Sequence, residues 1–487
     1  MKTLNIILGD CLYPNPQRLK KDEDDIFFMA ETDGLCTHFN YHKQKIVFYL
    51  SNMRTYRDEL QKDEEVIYHT LTSRDYTDIL EDVIEKREID TIRTYAIEDD
   101  FFRKKLERFT DKHDMTLETV SNPGFLNDKD DFKSFLSDNS LFMKTYYEKK
   151  RRETGVLMDD GKPVGGKYSF DTENRKKLPK GYETPSLPDQ KETDVVKEVK
   201  EVVREEFPDH PGRVDEFWLP TTRDESVAWL QDFLQQRLDD FGPYQDAFEE
   251  DKVFLNHSVL SPLLNIGRLT PKEVIDETLR YYEENDVRLS SVEGFIRQVM
   301  GWREFIRGTY HTKDLRKNFF DHQNKMKDTW YTGETGLKPL DDSIKKAQRY
   351  GYVHHIERLM VLSNVMLLSR IHPDEVYAWF MELFVDSADW VMEPNVYGMG
   401  QYADGGTFAT KPYICSSNYI QKMSHYGSGE WCDVLDGLYW MFIRDNKEFI
   451  KGNQRMRMMA SMLERLGDDK KERIFKAATS FIEENTY

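Results

Sequence analysis

No stretch of the chain stays apolar for the roughly 20 residues that a bilayer span requires, so none of its 487 residues is read as a membrane segment. Cysteine is scarce. Cys11, Cys36, Cys415 and Cys432 show no CxxC spacing, which excludes a disulfide framework and a zinc ribbon. The opening MKTLNIILGD has too short an apolar segment for a signal peptide and reads as a first strand. The GxGxxG fingerprint is missing, so dinucleotide binding by that route is not supported. Positive charge is in deficit: 69 Lys and Arg stand against 89 Asp and Glu, a net charge of −20. Such a balance argues against a protein that coats nucleic acid non-specifically, although phosphate contacts answer to local potential and a local basic face remains compatible. These absences point to a cytoplasmic globular protein with no membrane partner.

Aromatics, at 13%, are plentiful. Residues 1–135 alternate short apolar strands (Leu4–Leu8, Asp25–Ala30, Glu65–His69, Thr91–Ile97, Leu117–Val120) with helical segments near His42–Lys62 and Tyr76–Lys86. That alternation predicts an α/β domain with a doubly wound, Rossmann-like parallel sheet and ligands at strand carboxyl ends. Asp10 and Glu31 follow the first two strands, where they would either meet a ligand or cap a helix. Residues 136–215 read as a long interdomain connection, its GGKYSFD pattern favouring a loop tied onto a domain. From residue 216 to 487 the periodicity is helical: Ser226–Phe241, Pro271–Glu284, Ser291–Tyr310, Asp341–Ser369, Asp374–Phe384, Gly437–Asp445 and Asp469–Glu484. This predicts a large all-α domain.

Within it, Gly351–Met423 opens on GYVHHIERLMVLSN, a buried helix carrying adjacent His354 and His355 with Arg358 a turn beyond His354. It closes on a loop in which Gly398, Gly400, Gly405 and Gly406 are set among tyrosines. Glycines there allow close backbone approach to a large flat group, so the stretch reads as a cofactor pocket with paired histidines at its mouth. Upstream, LNHSVLSP offers hydroxyls and backbone N–H groups at a helix start, suited to a diphosphate. GWREF supplies Arg303, able to pair with phosphate bidentately.

In this order, SxLSP, FxRQ with WREF, HHIERLM and the Gly–Tyr loop resemble the photolyase/cryptochrome superfamily. GKPVGGKYSFDxxNR and NVYGMGQYADGG-FATKPY-SSNYIQKM are similar to its prokaryotic (6-4) photolyase branch, the iron–sulfur bacterial cryptochromes and photolyases. The resemblance implies FAD in the helical domain, held by His257, Ser258, Leu260, Ser261, Glu293, Gln298, Arg303, Arg358, Asp386, Met392, Asn395 and Gly405. It implies UV-damaged DNA as partner and a monomer. The function implied is light-driven reversal of (6-4) photoproducts, with a blue-light signalling photoreceptor as the other reading. His354 and His355 would be the catalytic pair, because an imidazole can donate a proton near neutral pH. Asp246 and Tyr413 would face the lesion. Trp379, Phe380, Tyr331 and Tyr419 would form an aromatic photoreduction path.

Departures matter as well. The family's cluster-ligand positions carry Pro339, Gly427 and Glu430, with only Cys432 near the fourth, which implies that no iron–sulfur cluster forms. Met392 stands where an amide or acid is usual and cannot donate a proton. The antenna pocket, which in the family takes 6,7-dimethyl-8-ribityllumazine, would involve Asp10, Glu31 and Tyr49. Cys11 in place of the usual amide and the bulk of Tyr49 argue against that pigment.

Overall fold

The computed structural model describes residues 2–487. Five parallel strands, β1 (Thr3–Ile6), β2 (Ile26–Thr32), β3 (Val66–Thr72), β4 (Thr91–Tyr95) and β5 (Thr116–Val120), lie in the order β3-β2-β1-β4-β5. The helices Lys43–Leu60, Tyr76–Arg87 and Asp100–Lys112 form the crossovers. β1 and β2 are buried at every position, as expected of central strands covered on both faces. The chain reverses its strand order between β1 and β4, and ligand crevices form at such switch points. The helix Asp100–Lys112 escapes the sequence reading because its apolar residues are few and flanked by charge.

The stretch 136–215 carries two helices, Met143–Thr154 and Asp194–Glu206. The second lies on the helix Lys43–Leu60, where Arg54 reaches Glu198 at 2.9 Å. Between them, the Arg151 guanidinium donates to the carbonyls of Val156 and Tyr168, clamping the loop in place.

The remainder is helical, but the long helices expected from periodicity are interrupted. The run expected over Asp341–Ser369 is a helix Lys338–Tyr350, a break, a turn His355–Glu357, a π-helical segment Arg358–Ser363 and a short helix Asn364–Leu368. Gly351 causes the break: at φ +61° it caps the first helix in the left-handed region. His354 is therefore extended backbone preceding the turn, not a residue within a helix. The run expected over Ser291–Tyr310 likewise contains a π-helical segment, Arg297–Arg303. The stretch expected as a Gly–Tyr loop begins as a third, Pro394–Gly400. Gly400 permits a close crossing, since a Cβ there would meet Ser363 Oγ at 2.2 Å.

The two parts are locked together by buried charge. Glu98, after β4, takes Arg307 through both oxygens at 2.9 and 2.8 Å, and His311 at 2.7 Å. Arg268 donates to Asn52 at 3.0 Å and to Glu59 at 2.7 Å.

Candidate functional site

The three π-helical segments share one feature: each lines the same central cavity. Its main chamber holds about 610 Å³. It adjoins a deeper one of about 240 Å³, with Ser261, His355, Asp386 and Asn395 lining both. A π turn widens the helix by one residue and turns backbone and side chains toward the space beside it, which explains its frequency at functional sites. The volume suits a cofactor, for which pockets of about 300–1,000 Å³ are usual.

One side of the cavity is a connected polar wall. The Arg358 guanidinium grips the Asp386 carboxylate at 2.8 and 3.2 Å. Ser261 Oγ donates to the same carboxylate at 2.6 Å, and Asn265 Nδ2 donates to the Asp386 carbonyl at 2.8 Å. Arg303 donates in turn to Asn265 Oδ1 at 2.7 Å. Burial pushes Arg303 down to about 10, so it stays cationic. Its charge lies over the rings of Phe125 and Trp390, 4.7 Å from each centroid. Several polar atoms at the wall have no partner within the protein: Arg303 Nε, Gln245 Oε1 and His257 Nε2 are buried and unbonded. Unpaired buried polar atoms are rare, and those lining a cavity await a ligand or water.

At the mouth, Tyr413 is 36% exposed. Beside it Tyr168, Asp171, Arg175 and Asp246 line the opening. Burial raises Asp246 from 3.8 to about 6, against the nearby Arg175 charge, which lowers it. A carboxyl held protonated in the fold loses its stabilising contribution as pH rises through its folded value. Wild type is therefore expected to lose about 3 kcal/mol relative to Asp246→Asn between pH 3.8 and about 6, and nothing further above that. Paired thermal melts across this range check the prediction.

The histidine pair is divided. His355 lies open to both chambers, though protein surrounds it, and burial with the nearby Arg358 charge pushes it down to about 4. His354 is fully buried behind the wall, stacked on His257 at a centroid distance of 4.5 Å, and does not line the cavity.

The structure brings His257, Ser258, Leu260, Ser261, Gln298, Arg303, Arg358, Asp386, Met392 and Asn395 together around the two chambers. Two of the anticipated cofactor residues fall elsewhere. Glu293 is withdrawn beneath the wall, accepting from the Phe170 amide at 2.9 Å and from Arg297 at 3.1 Å. Gly405 packs against Phe319 away from the cavity, its φ of +69° serving the turn. Of the aromatics, Phe380 lines the deeper chamber and packs on Trp379 at 5.5 Å. The Trp379 indole N–H goes to the Trp330 carbonyl, and Tyr331 donates to Glu382. Tyr419 stands apart, near Asp246 and Cys415. Sequence reasoning missed Asn265, Trp390 and Arg175. Asn265, four residues after Ser261, was within reach of helical spacing; the other two come from elements that only the fold brings in.

A second, smaller cavity of about 170 Å³ sits at the β1/β4 switch point, lined by Asp10, Glu31, Tyr49, Lys45 and Asp99. Glu31 does not cap a helix: Arg54 holds both its oxygens at 2.8 Å, and the Leu71 amide donates to it at 3.0 Å. Burial raises Asp10 to about 6. Trp390 and Asn265 line both this cavity and the central one.

All four cysteines are free, and among the described residues no three His, Cys, Asp or Glu side chains converge as a metal site. No helix among them is long and apolar enough to cross a membrane.

Residues 5–219 match the family described as deoxyribodipyrimidine photo-lyase-related protein. The chain is 33% identical to a (6-4) photolyase of Agrobacterium fabrum, over 99% of each chain. It is 48% identical to an uncharacterized Acanthamoeba polyphaga mimivirus protein, over 25% of this chain and 98% of that one. Among solved structures it is similar to a Synechocystis cryptochrome, with a TM-score of 0.59, 15% identity, and 87% and 88% of the two chains covered. A bacterial class III photolyase from Agrobacterium tumefaciens superposes with a TM-score of 0.56 at 17% identity, over 99% and 98% of the chains. Those structural likenesses carry the fold, and the full-length identity carries the kinship. The chain belongs to the deoxyribodipyrimidine photo-lyase-related family of the photolyase/cryptochrome superfamily.

Proposed function

We propose that the protein is a light-driven DNA repair enzyme that binds FAD in the central cavity and reverts (6-4) pyrimidine photoproducts. The observation that carries this reading is the two-chambered cavity itself. A cationic polar wall fit for a diphosphate lies on one side, and His355, the imidazole open to both chambers, lies between that wall and a mouth formed by Tyr413 and Asp246. The unbonded Arg303 Nε and His257 Nε2 fit a ligand rich in acceptors. FAD, when bound and reduced, supplies a photoexcited electron. Arg303, Asn265 and Ser261 would hold its phosphates, while Arg358, fixed by Asp386, would orient the rest. His355 would hold the proton that hydroxyl transfer between the two pyrimidines requires. Blue-light irradiation of an oligonucleotide bearing a (6-4) lesion, with purified reduced protein, should restore intact thymines. A protein that retains no added FAD would refute the reading.

The lesion must leave the helix to enter the cavity, so the rim should meet DNA backbone. Arg455, Arg457 and Arg465 are exposed and form no ion pair among the described residues. Their segment is tied to the mouth by Asn453, which donates to the Thr410 carbonyl at 3.0 Å, and the Arg455 charge reaches the Tyr413 phenol. Unpaired arginines are conspicuous in a chain of net charge −20. Replacing Arg455 and Arg457 together by Glu should weaken duplex binding and flatten the log K against log salt slope by about 2. An unchanged slope would place the backbone elsewhere.

No iron–sulfur cluster is proposed, because the corner holding Pro339, Gly427 and Glu430 supplies one thiol, Cys432, where a cubane takes four. Iron analysis of anaerobically prepared protein should find none, and about four irons per chain would reverse this. No antenna pigment is assigned to the smaller cavity, since Arg54 already holds Glu31 and Tyr49 projects into the space. A signalling photoreceptor is the second reading, favoured by Met392, a buried thioether that brings no proton donor to the deeper chamber. Absence of repair by a fully flavin-loaded protein would favour it.

A further inference from the structure

Beneath the cavity wall lies a buried cluster that the proposed chemistry does not use. Lys346 Nζ is 2.9 Å from Asp342 Oδ2 and 2.9 Å from Glu357 Oε1, and donates to the Glu249 carbonyl at 2.6 Å. Glu357 is fully buried, and Ser343 Oγ also reaches its Oε1, at 3.3 Å. The other oxygen, Oε2, lies 3.2 Å from His354 Nε2. Neither of those two atoms, nor His354 Nδ1, has a formed hydrogen bond among the described residues, so Oε2 and Nε2 are buried polar atoms facing each other at contact distance without partners of their own. Asp342 is engaged from the outside by the Tyr426 hydroxyl, and Glu249 by His425.

The charges do not balance as drawn. Two carboxylates share one ammonium: Asp342 is partly exposed, so water can help to carry its charge, whereas Glu357 is closed to water, where an uncompensated negative charge is strongly unfavourable. One more proton at this buried end restores neutrality, and Glu357 and His354 are placed there to take it. His354 is the poorer site: its ring is stacked on His257, and Arg358, Lys346 and His355 all act to keep a positive charge away from it. On the cavity side, Arg358 is spent on Asp386 and Arg237 on Asp232, so neither compensates Glu357.

We propose that Glu357 is a positioning residue that stays a neutral carboxylic acid, its O–H directed at His354 Nε2. Burial, the largest influence on it, raises Glu357, in agreement with this assignment. His354 then accepts at Nε2 and carries its own proton on Nδ1. Its ring remains an uncharged support under His257, leaving His355 as the imidazole open to both chambers. The inference rests on the reading of the cavity as the reacting site, but the proton placement can be tested independently.

Infrared spectra of the purified protein in the dark, without DNA, should contain a deuterium-sensitive carboxylic-acid C=O band that is missing from Glu357→Gln. Ser343→Ala, which removes one donor from Oε1, should shift that band upward and serves if the Gln variant does not fold. Nitrogen-15 NMR of histidine-labelled protein should show a neutral Nδ1–H tautomer for His354 at neutral pH, assigned by its loss in His354→Gln. Glu357→Gln should hold its stability relative to wild type at a constant difference below pH 4.5, the ordinary value of a glutamate. Because the unfolded chain ionises there while the fold keeps the acid protonated, wild type should lose stability relative to this variant as pH rises above 4.5. A missing or unmoved band, an imidazolium or Nε2–H tautomer at His354, or a pH-independent stability difference would each overturn the assignment. Since none of these readouts needs light or a lesion, failure to repair DNA would leave the assignment standing and would count only against the photolyase reading.

Discussion

His355→Ala is expected to lower (6-4) repair by about 10²–10⁴-fold while leaving the flavin-to-protein ratio unchanged. The separation follows from geometry. His355 faces both chambers, and among the described residues no ion pair or hydrogen bond to another side chain involves it. Truncation therefore removes a proton-bearing group without dismantling the Ser261–Asp386–Arg358–Asn265–Arg303 wall. The sign of the pH dependence also follows. Burial and the Arg358 charge hold His355 near 4 in the free protein, so it rests neutral. Binding a DNA phosphate nearby favours the charged form. Repair should accordingly fall as pH rises, and the fall should vanish in His355→Gln, whose residual rate should be level with pH. Steady-state repair across pH, with flavin content read from the visible spectrum, checks both parts. Loss of flavin together with activity would assign His355 to binding instead.

Asp386→Ala should have the largest effect on the protein itself. Asp386 takes both guanidinium nitrogens of Arg358 and the Ser261 hydroxyl, and its backbone carbonyl takes Asn265. Removing one partner of a buried, bonded pair leaves the other charge uncompensated, at a cost of about 3–5 kcal/mol. Arg358 then keeps the Val353 carbonyl at 2.6 Å and the faces of Phe384 and Tyr352, none of which carries a negative charge. The variant should melt well below wild type and elute from a desalting column without flavin. The double change Asp386→Ala with Arg358→Met, which removes both charges, should recover part of the stability but not the flavin. If the single variant kept full flavin and its melting temperature, the polar wall would not be what holds the cofactor.

Two features of the cavity trace directly to short motifs. The Ser258–Ser261 stretch and the Arg358 turn both reach the cavity, because each is a local device: a few hydroxyls at a helix start, and a cation one turn beyond His354. The division between His354 and His355 was not legible. Adjacent residues on an assumed helix point about 100° apart, and nothing in HHIER says which one faces inward. Gly351 settled it by ending the preceding helix, which left His354 extended and buried beneath the turn. Glu293 misled for a related reason. A carboxylate on an apolar helix face looks free in a sequence, yet here the Phe170 amide, more than a hundred residues away in the chain, consumes it.

By itself the sequence determined the parallel sheet, the helical remainder and the kinship, since strand alternation, helical period and long motifs are all local patterns. It also determined that the corner holding Pro339, Gly427 and Glu430 has one thiol nearby, Cys432, a matter of residue identity alone. Tertiary structure alone decided where the helices widen into π turns and that Arg175 and Trp390 join the cavity. It likewise decided that Arg54 occupies Glu31 and that a lysine shared by two acids sits under the histidines. These depend on which backbone carbonyls and distant side chains meet, and on how much water is excluded when they do. Both are properties of packing, and neither has a period along the chain.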